Sequence, residues 1–352
     1  APLCRFCKVG SRAPSGPCNE TVAKVLKVCQ RTLKVASPSR PMVTLLLASR
    51  QDVASMSLFA SVRVLGGWGE PEQLSHGTVY RHDDRAVDLL LINELHIHAD
   101  NIDAVHESAT GFNVEEVLVL SRHVSASKTP ALPLHAIGVP GEVPHGEPGQ
   151  AGGVKGRIVP PSPRFGALFR TMSALAVDRG LDDEYDLTLE TTHHGPTLTK
   201  PTLYIEIGST SDQWEDERAA RVWADALSAC LGLSGGNQMG TWQGHGDVMI
   251  GLGGGHYAPR HKAVISQTDV WVSHLLASYT LAFDEPTIEG ELPTGSWKHA
   301  VIVAIEATRI AFPGGSVFAH LDRKSFKGWQ RQALASLLFG LDVPIRRGKQ
   351  IP

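Results

Sequence analysis

The chain has 352 residues, of which 42% are hydrophobic and 20% are charged. That apolar content can bury a core large enough to offset chain entropy, which excludes a protein disordered throughout. No run of about 18 apolar residues occurs, so we expect no membrane-spanning helix. Residues 1–41 hold eight of the 33 Lys and Arg residues but one of the 36 acidic residues, which leaves an acidic body. Such a body is not typical of a general DNA or RNA binder, so any RNA contact must use a local basic patch.

Residues 1–41 form a basic, serine-containing extension that ends in the breaker-rich segment 37–41. The extension holds four of the five cysteines, Cys4, Cys7, Cys18 and Cys29, but their irregular spacing is only a weak zinc pattern. We expect a disordered segment or a targeting leader, which would direct the chain to a plastid or mitochondrion; otherwise we expect a cytoplasmic protein. The body has a single cysteine, Cys230, which fits a reducing compartment.

Strand-like and helix-like segments alternate after residue 41. Apolar runs of strand length begin at Met42 and recur at 87–92, 117–120, 132–139, 185–190, 202–207, 248–252 and 316–320. Helical periodicity appears at 165–177, 218–231, 270–281, 297–311 and 329–338. The alternation predicts an α/β fold with a mixed, largely parallel sheet flanked by helices. We expect a catalytic region over 42–345, an internal division in the Gly/Pro-rich loop 140–163, and a tail over 346–352.

The most informative stretch is 190–197, Glu-Thr-Thr-His-His-Gly-Pro-Thr, which follows a predicted strand. Ligand sites form at strand ends in open α/β sheets. Adjacent side chains on a strand point to opposite faces, so one of His193 and His194 is predicted to face a cleft while the other packs. Gly195-Pro196 then turns the chain. On its own, this stretch is equally typical of two structural histidines beside a turn.

A second stretch, 251–261, reads Gly-Leu-Gly-Gly-Gly-His-Tyr-Ala-Pro-Arg-His after another predicted strand. Glycines at 253–255 let the backbone approach a ligand closely and expose N–H groups, which favour an oxyanion or a phosphate. His256, Arg260 and His261 converge here, which favours a site over a simple glycine-rich turn. The spacing matches neither a P-loop nor a dinucleotide fingerprint.

Polar residues follow two more predicted strands, at 121–123 (Ser-Arg-His) and at 320–330, which begins His-Leu-Asp. Strands of similar orientation end at one edge of a sheet. We therefore expect four histidines to gather at that edge: His123, His194, His256 and His320.

Histidines at such an edge serve as general bases or as zinc ligands, usually with a carboxylate that completes or orients the site. Glu190, Glu206 and Asp322 are available, and we expect Glu206 or Asp322 in the same pocket. His135 lies on an apolar alternating strand and is predicted to be a packed core histidine.

Nucleophilic serine or cysteine catalysis is disfavoured. No Gly-x-Ser-x-Gly elbow follows a predicted strand, and Cys230 lies within an apolar helical run. Attack by water, assisted by a histidine or by a metal, fits the residues better. From the residues alone, a hydrolase and a non-catalytic nucleotide- or RNA-binding module both stay open.

Taken together, these segments resemble the D-aminoacyl-tRNA deacylase family of archaea and land plants. The resemblance rests on residues 121–123, 190–196, 200–202 with 205–210, 253–261 and 320–330. Weaker similarity begins at Met42 and runs to about residue 340. Several long motifs in one order are far more specific than any single motif.

The resemblance implies a hydrolase that cleaves the ester bond of D-aminoacyl-tRNA and releases free tRNA and the D-amino acid. It also implies zinc, a role in translation quality control, and clearance of aldehyde-modified D-aminoacyl-tRNA. The implied fold is similar to nucleoside phosphorylases and peptidyl-tRNA hydrolases. Alternative hypotheses are a zinc-dependent hydrolase of another small ester or amide, and a non-catalytic tRNA- or nucleotide-binding protein. We expect a monomer that binds aminoacyl-tRNA and neither membrane nor DNA.

Specific roles can be assigned to the residues of these motifs. We expect catalytic roles for His194, His193 and His256. The predicted zinc ligands are His123, His194, His256 and Glu206. The predicted substrate-binding residues are Gly253, Gly254, Gly255, Arg260, Lys324 and Lys327. The predicted basic patch for tRNA comprises Lys200, Arg260, Lys262, Arg323, Lys324, Lys327 and Arg331.

Overall fold

The computed structural model describes residues 40–141, 151–288 and 291–351, so the prediction for residues 1–39 lies outside the described residues. Residues 41–352 form one compact unit. The loop 140–163 is described only in part, and an internal division there stays a prediction. Within the described ranges, no helix is both long and apolar enough to cross a membrane.

The main sheet has eight strands within the described residues. They are β1 (Met42–Ser49), β2 (Glu72–Leu74), β3 (Gly77–Arg81), β4 (Val87–Ile92), β5 (Asn113–Arg122), β6 (Ala131–His135), β9 (Asp186–Leu189) and β10 (Thr202–Ile207). Their order across the sheet is β2-β3-β4-β1-β5-β10-β6-β9. The central strands β4, β1, β5 and β10 are parallel to one another. β6 runs antiparallel to β10, and β9 follows the direction of β6.

Two smaller sheets accompany the main one. β7 (Gly138–Val139) pairs with β8 (Arg157–Ile158) in antiparallel fashion. β11 (Asp247–Leu252) lies between β12 (Trp271–Leu276) and β13 (Ser316–Leu321), and both are parallel to it. The segment after β9 is tied to this three-stranded sheet, because the amide of Thr192 donates to the carbonyl of Leu275 at 2.7 Å.

Eight α-helices lie within the described residues. They are α1 (Val53–Val64), α2 (Ile102–Thr110), α3 (Phe165–Asp178), α4 (Ser211–Trp214), α5 (Glu217–Leu231), α6 (Pro259–Ile265), α7 (Trp297–Ala311) and α8 (Gly328–Gly340). Carboxylates begin two of them, since Asp52 accepts a hydrogen bond from the backbone of α1 and Asp216 accepts one from α5. Gly232 ends α5 in the left-handed conformation, at φ 70°.

The core lies on both faces of the main sheet because its strands are buried on both sides. Along β1, Leu46 packs in the cluster that contains Trp223 of α5. Its neighbours Leu45 and Leu47 point the other way, into the cluster that contains Ile102 of α2. The continuous apolar run of β1 follows from this double burial.

The predicted fold class is confirmed, with two local corrections. Residues 270–281 were predicted to be helical, but they form strand β12 and a short 3₁₀ turn at Ser278–Thr280. A short apolar run fits helix and strand periods alike, and here pairing with β11 decides the conformation. The predicted strand 132–139 divides into β6 and β7 around Ala136 and Ile137.

Candidate active site

The predicted pocket exists at the carboxyl end of the central strands. His123 directly follows β5, and Glu206 lies on the adjacent strand β10, paired in register with Ser121. His123, His194, Glu206 and His256 line one cavity of about 220 Å³. Asp322, the alternative carboxylate, does not line this cavity; it pairs with Arg260 instead, at 3.0 Å.

Glu190 also lies beside these histidines, although its strand does not end at the same edge of the sheet as β5 and β10. It follows β9, which runs opposite to β5 and β10, so its strand does not end at their edge. β9 is short, however, and stops level with the middle of β10: Leu189 pairs with Leu134, and the next residue of β6, His135, pairs with Tyr204. The early stop places Glu190 beside the histidines.

Glu190 is the centre of the site. Its side chain is fully buried, and neither carboxylate oxygen accepts a hydrogen bond from a described residue. Three imidazole nitrogens nevertheless face it: Nδ1 of His123 at 3.2 Å, Nε2 of His256 at 3.3 Å and Nε2 of His193 at 3.6 Å. A buried carboxylate is costly without compensation, so this arrangement requires a proton or a cation among the four groups.

A second carboxylate, Glu206, lies on the other side of His123. Its Oε2 is 3.3 Å from Nδ1 of His123, and the hydroxyl of Ser121 donates to its Oε1 at 2.9 Å. Burial alone would raise the pKa of Glu206, but hydrogen bonds from His123 and His135 outweigh it and lower the pKa. Burial works in the opposite sense on His123, whose pKa is raised overall by Glu206 and Glu190.

His135 was predicted to be a core residue, and it is fully buried. Its ring nevertheless belongs to the site, because it lies 4.1 Å from the ring of His193 and its Nε2 is 3.8 Å from Oε1 of Glu206. The interaction with Glu206 outweighs burial and raises the pKa of His135. Alternation along a strand predicts that such a side chain is buried, but not what surrounds it.

The prediction that His193 and His194 point to opposite faces of a strand is wrong. Both residues lie beyond the end of β9, and His194 has a left-handed backbone with φ 29°, so strand alternation does not apply to them. Their rings are 4.2 Å apart in one cluster. Burial and the neighbouring His135 lower the pKa of His194 to about 3. Burial, with His135 and His194, holds the pKa of His193 well below its ordinary value.

The hydrogen bonds of His193 and His256 fix how these rings face Glu190. Nδ1 of His193 lies 2.7 Å from the carbonyl oxygen of Thr191, to which it must donate its proton. In the neutral ring, Nε2 therefore directs a lone pair towards Glu190. Nδ1 of His256 lies 3.1 Å from the hydroxyl of Tyr279. Histidines that bind metals are typically held in this way through their second nitrogen.

Three sets of side chains bring ligand atoms within 4.8 Å of one another in the described part of the chain. They are Glu190 with His193 and His256; His123 with Glu190 and Glu206; and His135 with His193 and His194. The predicted ligands His123, Glu206, His194 and His256 are thus all near, but they do not form one set. Glu190 belongs to two of the sets.

No pattern in the sequence predicts the buried triad that borders the cavity. Nε2 of His96 lies 3.1 Å from Oδ2 of Asp52, and its Nδ1 lies 3.1 Å from the hydroxyl of Tyr204. The Tyr204 ring in turn contacts the rings of His135 and His194. In the sequence, Asp52 has the pattern of a helix cap and Tyr204 lies in an apolar strand, so neither residue indicates a site. Only the fold brings them together.

The glycine loop, residues 253–255, has fewer backbone amides open to a ligand than predicted. The amide of Gly253 donates to the carbonyl of Leu276 at 2.8 Å, and the amide of Gly254 donates to the hydroxyl of Ser325 at 2.8 Å. Both are therefore committed to the fold rather than to a ligand. Gly255 alone is open: it is exposed, and its amide has no acceptor among the described residues.

His320 does not join the other histidines, which corrects the fourth member of the predicted group. It lies on β13 of the three-stranded sheet, and its Nδ1 is 2.8 Å from Nδ1 of His261. His261 also contacts the carbonyl of Gly253 through Nε2 at 3.2 Å. This buried pair packs under the glycine loop.

Comparisons with known proteins point to a single family. Residues 110–346 match a family model described as D-aminoacyl-tRNA deacylase. A D-aminoacyl-tRNA deacylase of Arabidopsis thaliana is 40% identical, over 84% of this chain and 96% of its own length. One from Methanosarcina barkeri is 30% identical, over 88% of this chain and 91% of its own. The chain belongs to the D-aminoacyl-tRNA deacylase family. The resemblance seen in the motifs is thereby confirmed.

A solved structure supports the fold of this family member. The protein, described as a conserved protein of unknown function, AF0625, aligns with a TM-score of 0.70 and 24% identity. The alignment covers 89% of this chain and 97% of that protein. At this level of identity the likeness shows the shared α/β fold, whereas the predicted likeness to phosphorylases and peptidyl-tRNA hydrolases stays a prediction.

The predicted basic patch divides in two in this deacylase-family chain. Three of its members pair with acidic residues and do not line the cavity that the rest share: Lys200 with Glu107 at 2.7 Å, Lys262 with Asp186 at 3.0 Å and Lys327 with Glu285 at 3.0 Å. These pairs neutralise each other locally. The other four, Arg260, Arg323, Lys324 and Arg331, line a single cavity of about 580 Å³.

Alanine substitutions at Gly253 and Gly255 test how tightly the backbone of the glycine loop is packed. A Cβ atom at Gly253 would lie 2.6 Å from Cε2 of Phe326, and the residue has φ +92°, so Gly253→Ala is strained in two ways. We expect it to reduce the free energy of unfolding by about 1–3 kcal/mol. Gly255→Ala meets no atom within 4 Å and should stay within about 0.5 kcal/mol of the wild type. Urea denaturation of both variants measures the difference, and equal midpoints would contradict the packing at Phe326.

Proposed function

We propose that this chain hydrolyses the ester between a D-amino acid and the 3′-terminal ribose of tRNA, releasing free tRNA and the D-amino acid. Its membership of the D-aminoacyl-tRNA deacylase family supports this substrate. The observation that carries the proposal is the buried carboxylate Glu190, faced by three imidazole nitrogens whose rings, on His123, His193 and His256, line the cavity. Such a site can activate water and stabilise developing charge without a protein nucleophile.

His194 is the proposed general base. It is half-buried in the wall of the cavity, and neither ring nitrogen has a hydrogen-bond partner among the described residues. Its neighbours His193 and His256 are turned towards Glu190, whereas His194, which its lowered pKa keeps neutral, can orient an attacking water and accept its proton as the attack proceeds. The ester is already activated, so orientation and partial deprotonation of water supply most of the help that is needed.

The reaction also needs partners for the developing oxyanion and for the leaving ribose oxygen. The amide of Gly255 is the open donor of the glycine loop and directly precedes His256. We assign it to the carbonyl oxygen as negative charge develops there. The proton taken up by His194 is then available for the ribose oxygen as the ester bond breaks.

The residues fit the zinc that the family resemblance implies. Glu190, His193 and His256 would hold the ion, because the lone pair on Nε2 of His193, Nε2 of His256 and a buried carboxylate without a hydrogen-bond donor converge there. Two histidines and one glutamate form a common catalytic zinc set with an open position. When bound, zinc would polarise the ester carbonyl as a Lewis acid. His123, with Glu206 behind it, holds the other side of Glu190 and orients it.

We also propose that the same activity clears aldehyde-modified D-aminoacyl-tRNA. It rests on the family resemblance, and its test is the same hydrolysis assay with N-modified D-aminoacyl-tRNA.

The direct test of the proposed base is hydrolysis of D- and L-tyrosyl-tRNA. We expect the wild type to cleave the D-ester in preference to the L-ester. His194→Ala should lose a factor of about 10² to 10⁴ in turnover of the D-ester, because general-base help is removed. Its affinity for uncharged tRNA should change little. The exposed His245 gives the control variant His245→Ala, which should match the wild type. Full turnover by His194→Ala would contradict the assigned role.

The ligand assignment is tested by metal content and titration calorimetry with zinc. We expect His193→Ala to lower zinc affinity at least about tenfold, because it removes a ligand. Glu206→Gln should retain the metal, because Glu206 lies outside the proposed set. The opposite result, with zinc lost from Glu206→Gln and retained by His193→Ala, would favour the set of His123, Glu190 and Glu206. Chelation should abolish turnover by the wild type if the ion is catalytic.

A further inference from the structure

A second cavity, separate from the active-site pocket, is lined by an unusual number of cations. It has a volume of about 580 Å³ and lies between the segment after β13, helix α8 and the C-terminal residues. We call it the basic groove, and define it by six residues: Arg260, Arg323, Lys324, Arg331, Arg346 and Arg347. Arg346 and Arg347 belong to the predicted tail, for which the sequence suggested no role.

Few of these charges are neutralised within the protein. Arg260 pairs with Asp322 at 3.0 Å, and Arg346 pairs with Asp247 at 2.6 Å. The side chains of Arg323, Lys324 and Arg347 have no acidic partner among the residues that the structure describes, and all three are exposed. The groove therefore carries a clear excess of positive charge.

This excess stands out because the rest of the body is acidic. After residue 41 the chain has 25 basic and 35 acidic residues, so a cluster of six cations is a local exception. Like charges at close range repel one another and destabilise the folded state unless an anion is bound. Arginine in particular presents a planar fork of donors that matches phosphate oxygens.

The groove is joined to the active site by short, rigid connections. Only three residues separate His256 from Arg260, so their Cα atoms lie at most about 14 Å apart. The loop that carries Arg323 and Lys324 is fastened to the glycine loop, because the hydroxyl of Ser325 accepts from the amide of Gly254 at 2.8 Å. A strand-end contact adds to this: the amide of Asp322 donates to the carbonyl of Leu252 at 2.9 Å.

We propose that the basic groove binds the phosphate backbone of the tRNA acceptor end, upstream of the ribose that carries the ester. This inference rests on the proposed function, because it takes the esterified ribose to lie in the pocket beside His256. The nucleotides that precede that ribose must then leave the pocket along the protein surface, and the groove is the adjoining cation-rich path. Phosphate contacts of this kind give affinity and orientation without sequence specificity.

The test compares two double variants with the same change in net charge. Lys324→Gln with Arg347→Gln neutralises the groove, whereas Arg157→Gln with Lys298→Gln removes two exposed charges that do not line it. The affinity for uncharged tRNA is measured by fluorescence anisotropy over a series of salt concentrations. We expect the groove variant to bind roughly tenfold more weakly, and the slope of log K against log salt to fall by about two. The control should bind as the wild type does. Groove and control variants with the same affinity and slope would overturn the proposal.

A second readout separates the groove from the proposed function. D-Tyrosyl-adenosine carries the scissile ester but no phosphate backbone. For the groove variant, we expect kcat/KM on D-tyrosyl-tRNA to fall at least about tenfold further than kcat/KM on D-tyrosyl-adenosine. Equal losses on both substrates would contradict the groove. A wild type that cleaves neither substrate would refute the proposed function, while the binding of uncharged tRNA would still decide the groove.

Discussion

The buried carboxylate of Glu190 is the constraint around which this site is organised. An ionised carboxylate without hydrogen-bond donors costs several kcal/mol in a protein interior unless a positive group compensates it. Among the residues that the structure describes, the compensation can come from the imidazoles of His123, His193 and His256, or from a cation held between them. The three rings come from three separate parts of the chain. A single side chain therefore joins the main sheet, the segment after β9 and the glycine loop.

The surrounding residues hold this arrangement rigidly. The indole of Trp223 donates to the backbone carbonyl of Glu206 at 2.9 Å, which fixes β10 against α5. Asp52 serves both as the cap of α1 and as the partner of His96, so the start of a helix and the wall of the cavity depend on one carboxylate. Rigid support of this kind keeps catalytic groups in register, because small displacements are costly in rate.

The sequence predicted the architecture better than the site. Long apolar runs such as 87–92 and 202–207 have the observed bounds, because strands buried on both faces leave a continuous signal. The motifs also identified His123, His194, His256 and Glu206, which share one cavity. The central role of Glu190 was missed, because it depends on β9 running opposite to β5 and β10 and stopping early. No local pattern predicts that His261 pairs with His320 or that the Gly253 amide donates to Leu276, because both contacts depend on the tertiary fold.

The most direct test of the account is the rate of D-tyrosyl-tRNA hydrolysis by Glu190→Gln under single-turnover conditions. Glutamine keeps the shape of the side chain but removes the charge that organises the histidines. We expect a loss of at least about 10²-fold in the rate, with a cooperative unfolding transition retained. The exposed acid Glu217, changed to glutamine in the same way, should leave the rate unaltered. Hydrolysis by folded Glu190→Gln at the wild-type rate would contradict the central claim.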